Sequence, residues 1–189
     1  MNFKTFKEII FEEINNNGLL QPYHRRESGS FSELLFDSFS MQSINIKMGN
    51  ILERTWKKYI ALSNEVVIDK RNIIEGSQVD ILFSFRNIKY YFESKNNLNI
   101  DTEKSIATKN KLLKIISFLE NENENVVGKI LNNRYSTSKH SKNFKLPILE
   151  EDIYGYSDLF SIFEVKVSEE QWNDFFKTVG QYIIMKGEK

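Results

Sequence analysis

Residues 76–97 read GSQVDILFSFRNIKYYFESKNN, and their β-branched and aromatic content marks two consecutive strands, 78–85 and 88–95, joined at Arg86 and Asn87. Taking those two as the central turn residues puts Phe85 opposite Ile88 and, counting back, Asp80 opposite Glu93. Opposite residues of an antiparallel pair share a face, with Cβ atoms about 5 Å apart. Lys95 lies on that face as well, because side chains repeat every two residues. The other face reads Val79, Ile81, Phe83 and Phe85, then Ile88, Tyr90 and Phe92, and is the core side. Two carboxylates and an amine thus converge on one face of a hairpin whose other face is buried. Tyr91 stands with them, so a further apolar element must cover part of that face. Arg-Asn is not a favoured type I′ pair, which leaves room for a longer turn.

Like charges directly opposite one another are destabilising unless something neutralises them. A hard divalent cation would do so: Mg²⁺ takes carboxylates, keeps several waters and completes its shell on a phosphate. Such an ion polarises a scissile phosphate and acidifies a bound water. Lys95 could then orient or deprotonate that water, or stabilise the charge developing on the phosphorus centre. The plainer alternative is a solvated sheet face with a cross-strand Lys–carboxylate pair.

Working outward, Phe3, Phe6, Ile10 and Ile14 recur at helical spacing until an asparagine run and Gly18. A short helix is predicted after Ser30, with Glu33 completing a capping box and Leu34, Leu35 and Phe39 apolar. Residues 49–62 are helical in pattern, with Leu52, Trp56, Tyr59 and Ile60 on one face, and 65–69 read as a strand. Beyond the hairpin, Leu112, Ile115, Ile116 and Leu119 predict a helix and 126–131 a strand. Ser168 with Gln171 caps a final helix that buries Trp172, Phe175, Phe176, Val179 and Ile183. The order implies an α/β (α+β) domain, a central mixed β-sheet flanked by α-helices.

Composition removes several classes of function. The 189 residues carry 26 Lys+Arg against 26 Asp+Glu, which excludes a globally basic nucleic-acid binder. The absence of cysteine excludes disulfide frameworks, thiolate nucleophiles and Cys-type zinc sites. The two histidines, His24 and His140, lack the spacing of a metal pair. No stretch approaches about 18 uninterrupted apolar residues, so a soluble, intracellular domain with no membrane partner is expected. The charge is unevenly spread. Residues 128–147 hold Lys129, Arg134, Lys139, Lys142 and Lys145 and no acid, interleaved with Tyr135 and Phe144. Such a segment can track a phosphate backbone, or be an ordinary exposed loop. Residues 148–189 hold nine acids against four bases.

Asp80, twelve intervening residues and Glu93-Ser94-Lys95 on consecutive strands resemble the motif of the PD-(D/E)xK nuclease superfamily, with Val79 in place of its proline. A second Glu-x-Lys, Glu164 to Lys166 after Asp158, leaves too few residues for two strands and a turn. The resemblance implies a restriction-endonuclease-like core with Asp80 and Glu93 as Mg²⁺ ligands, Mn²⁺ as a substitute, and Lys95 beside the attacking water. It also implies a metal contact from the Ser94 backbone carbonyl and an acidic residue on the preceding helix. Glu53 matches that position, but its spacing from Asn50 also suits a capping box. Residues 96–111, NNLNIDTEKSIATKNK, resemble the loop and helix start that approach DNA in restriction enzymes, which adds Lys104 to the DNA-binding candidates. A single nuclease domain over 1–189 is expected: a helical elaboration to 48, a catalytic core over 49–135, then the basic loop and terminal helix.

Within the superfamily the chain is similar to the small catalytic subunits of heterodimeric type IIS restriction endonucleases. The resemblance implies double-stranded DNA and a larger site-recognising endonuclease subunit as partners, in the bacterial cytoplasm. A self-sufficient homodimeric type II enzyme is the alternative, and a non-catalytic interaction subunit that keeps the fold is a third.

Overall fold

In this computed structural model the described residues are 1–16, 41–96, 98–122, 124–137 and 144–187. The helix predicted after Ser30, both histidines, Lys139 and Lys142 lie outside them. Helix α1 spans Phe3–Asn16 and α2 spans Met41–Ile60. Strands β1 (Val66–Ile68), β2 (Ile73–Ile74), β3 (Ser77–Gln78), β4 (Ile81–Phe85) and β5 (Ile88–Lys95) follow. Helix α3 (Thr102–Asn121) leads to β6 (Val126–Asn132), a 3-10 turn at Glu150–Asp152 and β7 (Ile153–Gly155). Helices α4 (Tyr156–Ile162) and α5 (Glu169–Gly187) close the order. None of the described helices is long and apolar enough to cross a membrane.

Five strands form one mixed sheet in the order β1-β4-β5-β6-β7, and β2 and β3 form a separate small hairpin. β4 is antiparallel to β1 and β5, whereas β5–β6 and β6–β7 are parallel. The β5-α3-β6 crossover is what allows a parallel pair there, since a tight turn can join only antiparallel strands.

Both sheet faces are covered. One packs Ile81, Phe83, Phe85 and Phe92 against α1, α2, α4 and α5. Its centre is an aromatic cluster in which Phe6 lies 4.6 Å from Trp56 and Tyr156 stacks at 4.1 Å on Trp172. The other face packs Leu82, Tyr91 and Ile130 against Leu112, Ile115 and Leu119 of α3. Aliphatic residues at three- and four-residue spacing make that stripe, as expected of a helix lying on a sheet.

The expected hairpin register holds, from Phe85↔Ile88 to Ile81↔Phe92. The turn is not longer than two residues: Arg86 (φ 49°) and Asn87 (φ 61°) both take the left-handed conformation a type I′ turn requires. Asparagine tolerates it. Arg86 is held by Glu65 and Glu164, each at 3.2 Å, and lies 4.7 Å over the Phe85 ring. The first strand, expected from 78, begins only at Ile81, because residues 77–78 turn back onto 73–74 through Glu75 and Gly76, both at positive φ. Val79 therefore packs with Leu82 and Tyr91 rather than beside Ile81.

Helix α2 starts well before Gly49 and runs through Asn50, whose carbonyl accepts from Arg54 Nε at 3.2 Å. Glu53 is thus a mid-helix residue and does not cap. The box at Ser168 is present in both directions, Gln171 N to Ser168 Oγ at 3.1 Å and Ser168 N to Gln171 Oε1 at 3.0 Å. β7 and α4 were not expected from the pattern. They enclose Gly155, where a Cβ would fall 2.2 Å from the Ser136 carbonyl group.

Candidate active site

β5 is the central strand, and its odd-numbered residues Lys89, Tyr91, Glu93 and Lys95 face α3 by simple alternation. The two-residue turn makes Phe85 and Ile88 a hydrogen-bonded pair, so Phe83/Tyr90 and Ile81/Phe92 are such pairs too. The next pair in that series would be Val79 and Ser94, but the chain has already left the ladder. Asp80 occupies the gap, its Oδ2 accepting from Ser94 N at 2.9 Å. In a hydrogen-bonded position N–H and C=O point to the same side, which directs the Ser94 carbonyl toward Asp80 as well.

The expected triad converges. Lys95 Nζ donates to Glu93 Oε1 at 2.7 Å, and the Tyr91 hydroxyl donates to Glu93 Oε2 at 3.0 Å. A fourth charged group, absent from the sequence reading, completes the cluster. Lys111 of α3 places Nζ 2.5 Å from Glu93 Oε2 and 3.4 Å from Asp80 Oδ1. A signal for it existed: Lys111 is three residues beyond buried Thr108 and four before buried Ile115, a lysine on the edge of a core stripe. A buried ammonium at such a place needs a carboxylate partner.

Electrostatics separate the two acids. Burial is the largest influence on Asp80, and with the charge of Glu93 it pushes the carboxyl up to about 6, against the pull of Lys111 and the Ser94 N–H. Burial also works against Glu93, but Lys95 and Lys111 outweigh it and hold its carboxyl below the ordinary value. Desolvation opposes the charge on Lys111, yet Glu93 and Asp80 raise its ammonium above the usual lysine range. Glu93 is therefore the standing anion and Asp80 the acid with unmet charge.

The donor set suits a hard divalent ion: two carboxylates on adjacent strands, with a backbone carbonyl aimed at the same side. Glu53 does not join them in one cluster. Among the described residues no group of three or more His, Cys, Asp or Glu could hold a metal. Its carboxylate instead accepts from Lys57 at 2.6 Å. It lines a cleft of ≈ 580 Å³ together with Asn50, Ser94, Lys95 and Asn96. A second cleft of ≈ 290 Å³ is lined by Asp80, Lys57, Lys70 and Arg71. The Ser94–Asp80 hydrogen bond links a residue of the first cleft to one of the second, while Glu93 lies buried behind them.

Four of the residues expected to touch DNA are described, and none of them contacts the carboxylates of this site. Lys104 pairs with the helix-capping Asp101 at 2.8 Å. Lys129 is in register with Phe92, which places it on the face opposite Glu93, and its Nζ donates to the Glu151 carbonyl at 2.6 Å. Arg134 donates to Asn173 of α5 at 3.0 Å, and Lys145 is exposed in the loop before the 3-10 turn.

Asn133 is a further residue that the sequence reading passed over. It accepts from Trp56 Nε1 at 2.9 Å and donates through Nδ2 to Ser94 Oγ at 3.0 Å and the Lys95 carbonyl at 3.2 Å. It ties the end of β5 to α2 just where Lys95 emerges. Comparison with protein-family models, curated proteins and solved structures returned no match.

Proposed function

We propose that the chain is a Mg²⁺-dependent DNA endonuclease with a restriction-endonuclease-like fold, in which Asp80, Glu93 and the Ser94 carbonyl hold the metal and Lys95 serves the attacking water. The observation that carries this reading is the Asp80–Glu93 pair beside Lys95, at the junction of two clefts and on the ends of two core strands. A cation bound there supplies Lewis acidity toward a phosphate oxygen and a water made acidic at neutral pH. The protein supplies the rest. Buried strands set the carboxylates rigidly, and Tyr91 fixes the Glu93 carboxylate. Lys95, with 30% of its side chain exposed, reaches the larger cleft, where an ammonium can orient water or meet developing negative charge.

Of the described bases in the basic segment, Lys129 and Arg134 are engaged away from the carboxylates and Lys145 is exposed in a loop. That distribution favours a cleavage subunit that borrows its DNA register from a larger, site-recognising partner. Plasmid cleavage with Mg²⁺ tests it, using the chain alone and with a candidate larger endonuclease subunit. The chain alone should give no discrete fragments, and the complex should lose one strand's cut with Asp80→Ala or Lys95→Ala. Discrete double-strand cutting by the chain alone establishes the homodimer instead. Unchanged cleavage in both variants reduces the chain to a non-catalytic subunit.

A further inference from the structure

Lys111 bridges two carboxylates that belong to two different strands. Its side chain is 22% exposed, and it approaches them from α3, the one helix on that face of the sheet among the described residues. Each carboxylate oxygen in the cluster has a partner. Asp80 Oδ2 takes the Ser94 N–H and Glu93 Oε1 takes Lys95. The remaining pair, Asp80 Oδ1 and Glu93 Oε2, faces the Lys111 ammonium at 3.4 and 2.5 Å. Those two oxygens are the ones a bridging cation would use.

We propose that the Lys111 ammonium is a built-in stand-in for the divalent ion: it neutralises Asp80 and Glu93 in the metal-free protein and is displaced when the metal enters. The inference rests on the nuclease reading of the same site. Charge counting supports it, because two carboxylates and two ammonium groups already sum to zero. Adding a dication to that set leaves an excess of positive charge in a place with little water to screen it. Distance supports it too. Mg²⁺ binds oxygen at about 2.1 Å, so an ion held by both oxygens would need the space between them that the Lys111 ammonium now fills. Lys95 stays, since it holds the other Glu93 oxygen. Lys111 is thus a positioning residue: it sets metal affinity and keeps the empty site folded.

Calorimetric titration with Mn²⁺ alone tests the proposal on the full chain, alongside thermal melts in EDTA and in Mn²⁺. Lys111→Met removes the competitor and should bind Mn²⁺ roughly ten- to a hundredfold more tightly, the range over which groups around the ligands tune a metal site. It should melt below wild type in EDTA and recover in saturating Mn²⁺. Lys111→Arg keeps a cation between the carboxylates, folds without metal and should bind Mn²⁺ more weakly than wild type. Asp80→Asn should abolish binding. Equal or weaker binding by Lys111→Met, or tighter binding by Lys111→Arg, with the Asp80 dependence intact, overturns the stand-in and leaves the metal site standing. No Mn²⁺ bound by wild type or Lys111→Met overturns the nuclease reading, and this inference with it.

Discussion

The backbone N–H of Ser94 donates across 2.9 Å to the side chain of Asp80, one residue beyond the Ile81↔Phe92 pair at which the hairpin ladder stops. A side chain has taken the place of a ladder carbonyl. The exchange occurs because β4 ends at Ile81, where the chain turns away into the small β2–β3 hairpin. It keeps a carboxylate beside the strand end where a further ladder residue would otherwise close the sheet. The cost is an acid with 14% of its side chain exposed next to another acid, with one lysine at 3.4 Å.

Asp80→Asn keeps an oxygen for the Ser94 N–H and removes the like charge beside Glu93. Without divalent ions the variant should therefore be more stable than wild type, by about 1–2 kcal/mol, as sites built for function commonly give up stability. Mg²⁺ should raise the melting temperature of wild type and leave the variant unmoved. A variant less stable than wild type in EDTA would mean that the Asp80–Lys111 attraction outweighs both burial and the repulsion from Glu93.

The hairpin was legible because its evidence is arithmetic: period two along each strand and a two-residue turn set which residues face which. Lys95 and Glu93 followed from the same count. Lys111 was legible only as a lysine on the edge of the core stripe, since nothing local says which acid it meets under the sheet. That depends on how α3 crosses β5. The orientation of the basic segment was not legible for a related reason, because a run of charge carries no face, and Lys129 shares one with Phe92. β7 escaped notice because three residues are too few to show a period.

Asn133→Ala removes the acceptor for the buried Trp56 N–H and both Nδ2 donations to the end of β5. An unsatisfied buried donor costs about 1–3 kcal/mol. Under the proposed function the loss should also loosen Lys95 while sparing the carboxylates. Chemical denaturation should show the destabilisation, and cleavage kinetics should show a fall in kcat with Mn²⁺ affinity within about twofold of wild type, well under 1 kcal/mol. A loss of metal affinity instead would place Asn133 in support of Glu93.

Asp69 predicts how stability responds to acid. Burial disfavours its charge, but the Arg71 side chain and backbone N–H, together with Lys89, hold the carboxyl down at about 2. A depressed carboxyl adds stability above its unfolded value and loses it as pH falls through the window from about 4 to about 2. The amount is about 2 kcal/mol. Urea denaturation should find Asp69→Asn less stable than wild type at pH 7, with Lys89 left to Glu124 alone at 3.4 Å. The gap should shrink toward pH 2. A gap that stays constant across that range would show that the carboxylate's charge contributes nothing.

Gly155 links β7 to the start of α4, and the reason for glycine there is space rather than backbone freedom, since its φ is −87°. Tyr156 N and Ser157 N donate to the Tyr135 and Ser136 carbonyls at 3.1 and 3.0 Å, which presses the two backbones together. A Cβ at Gly155 would fall 2.2 Å from Ser136 backbone atoms, and no flexible side chain is there to yield. Gly155→Ala must push β7 from the segment after β6, at a cost of about 1–3 kcal/mol by the measure of overpacked cores. Because β6 pairs with β5 through Asn132 and Lys95, the shift should also reach the site. Hydrogen exchange is the direct check. In Gly155→Ala the amides of Tyr156 and Ser157 should exchange faster by tenfold or more, about 1.4 kcal/mol, while those of α1 keep their protection. Unchanged exchange at both amides would show that the two segments take up the added Cβ without parting.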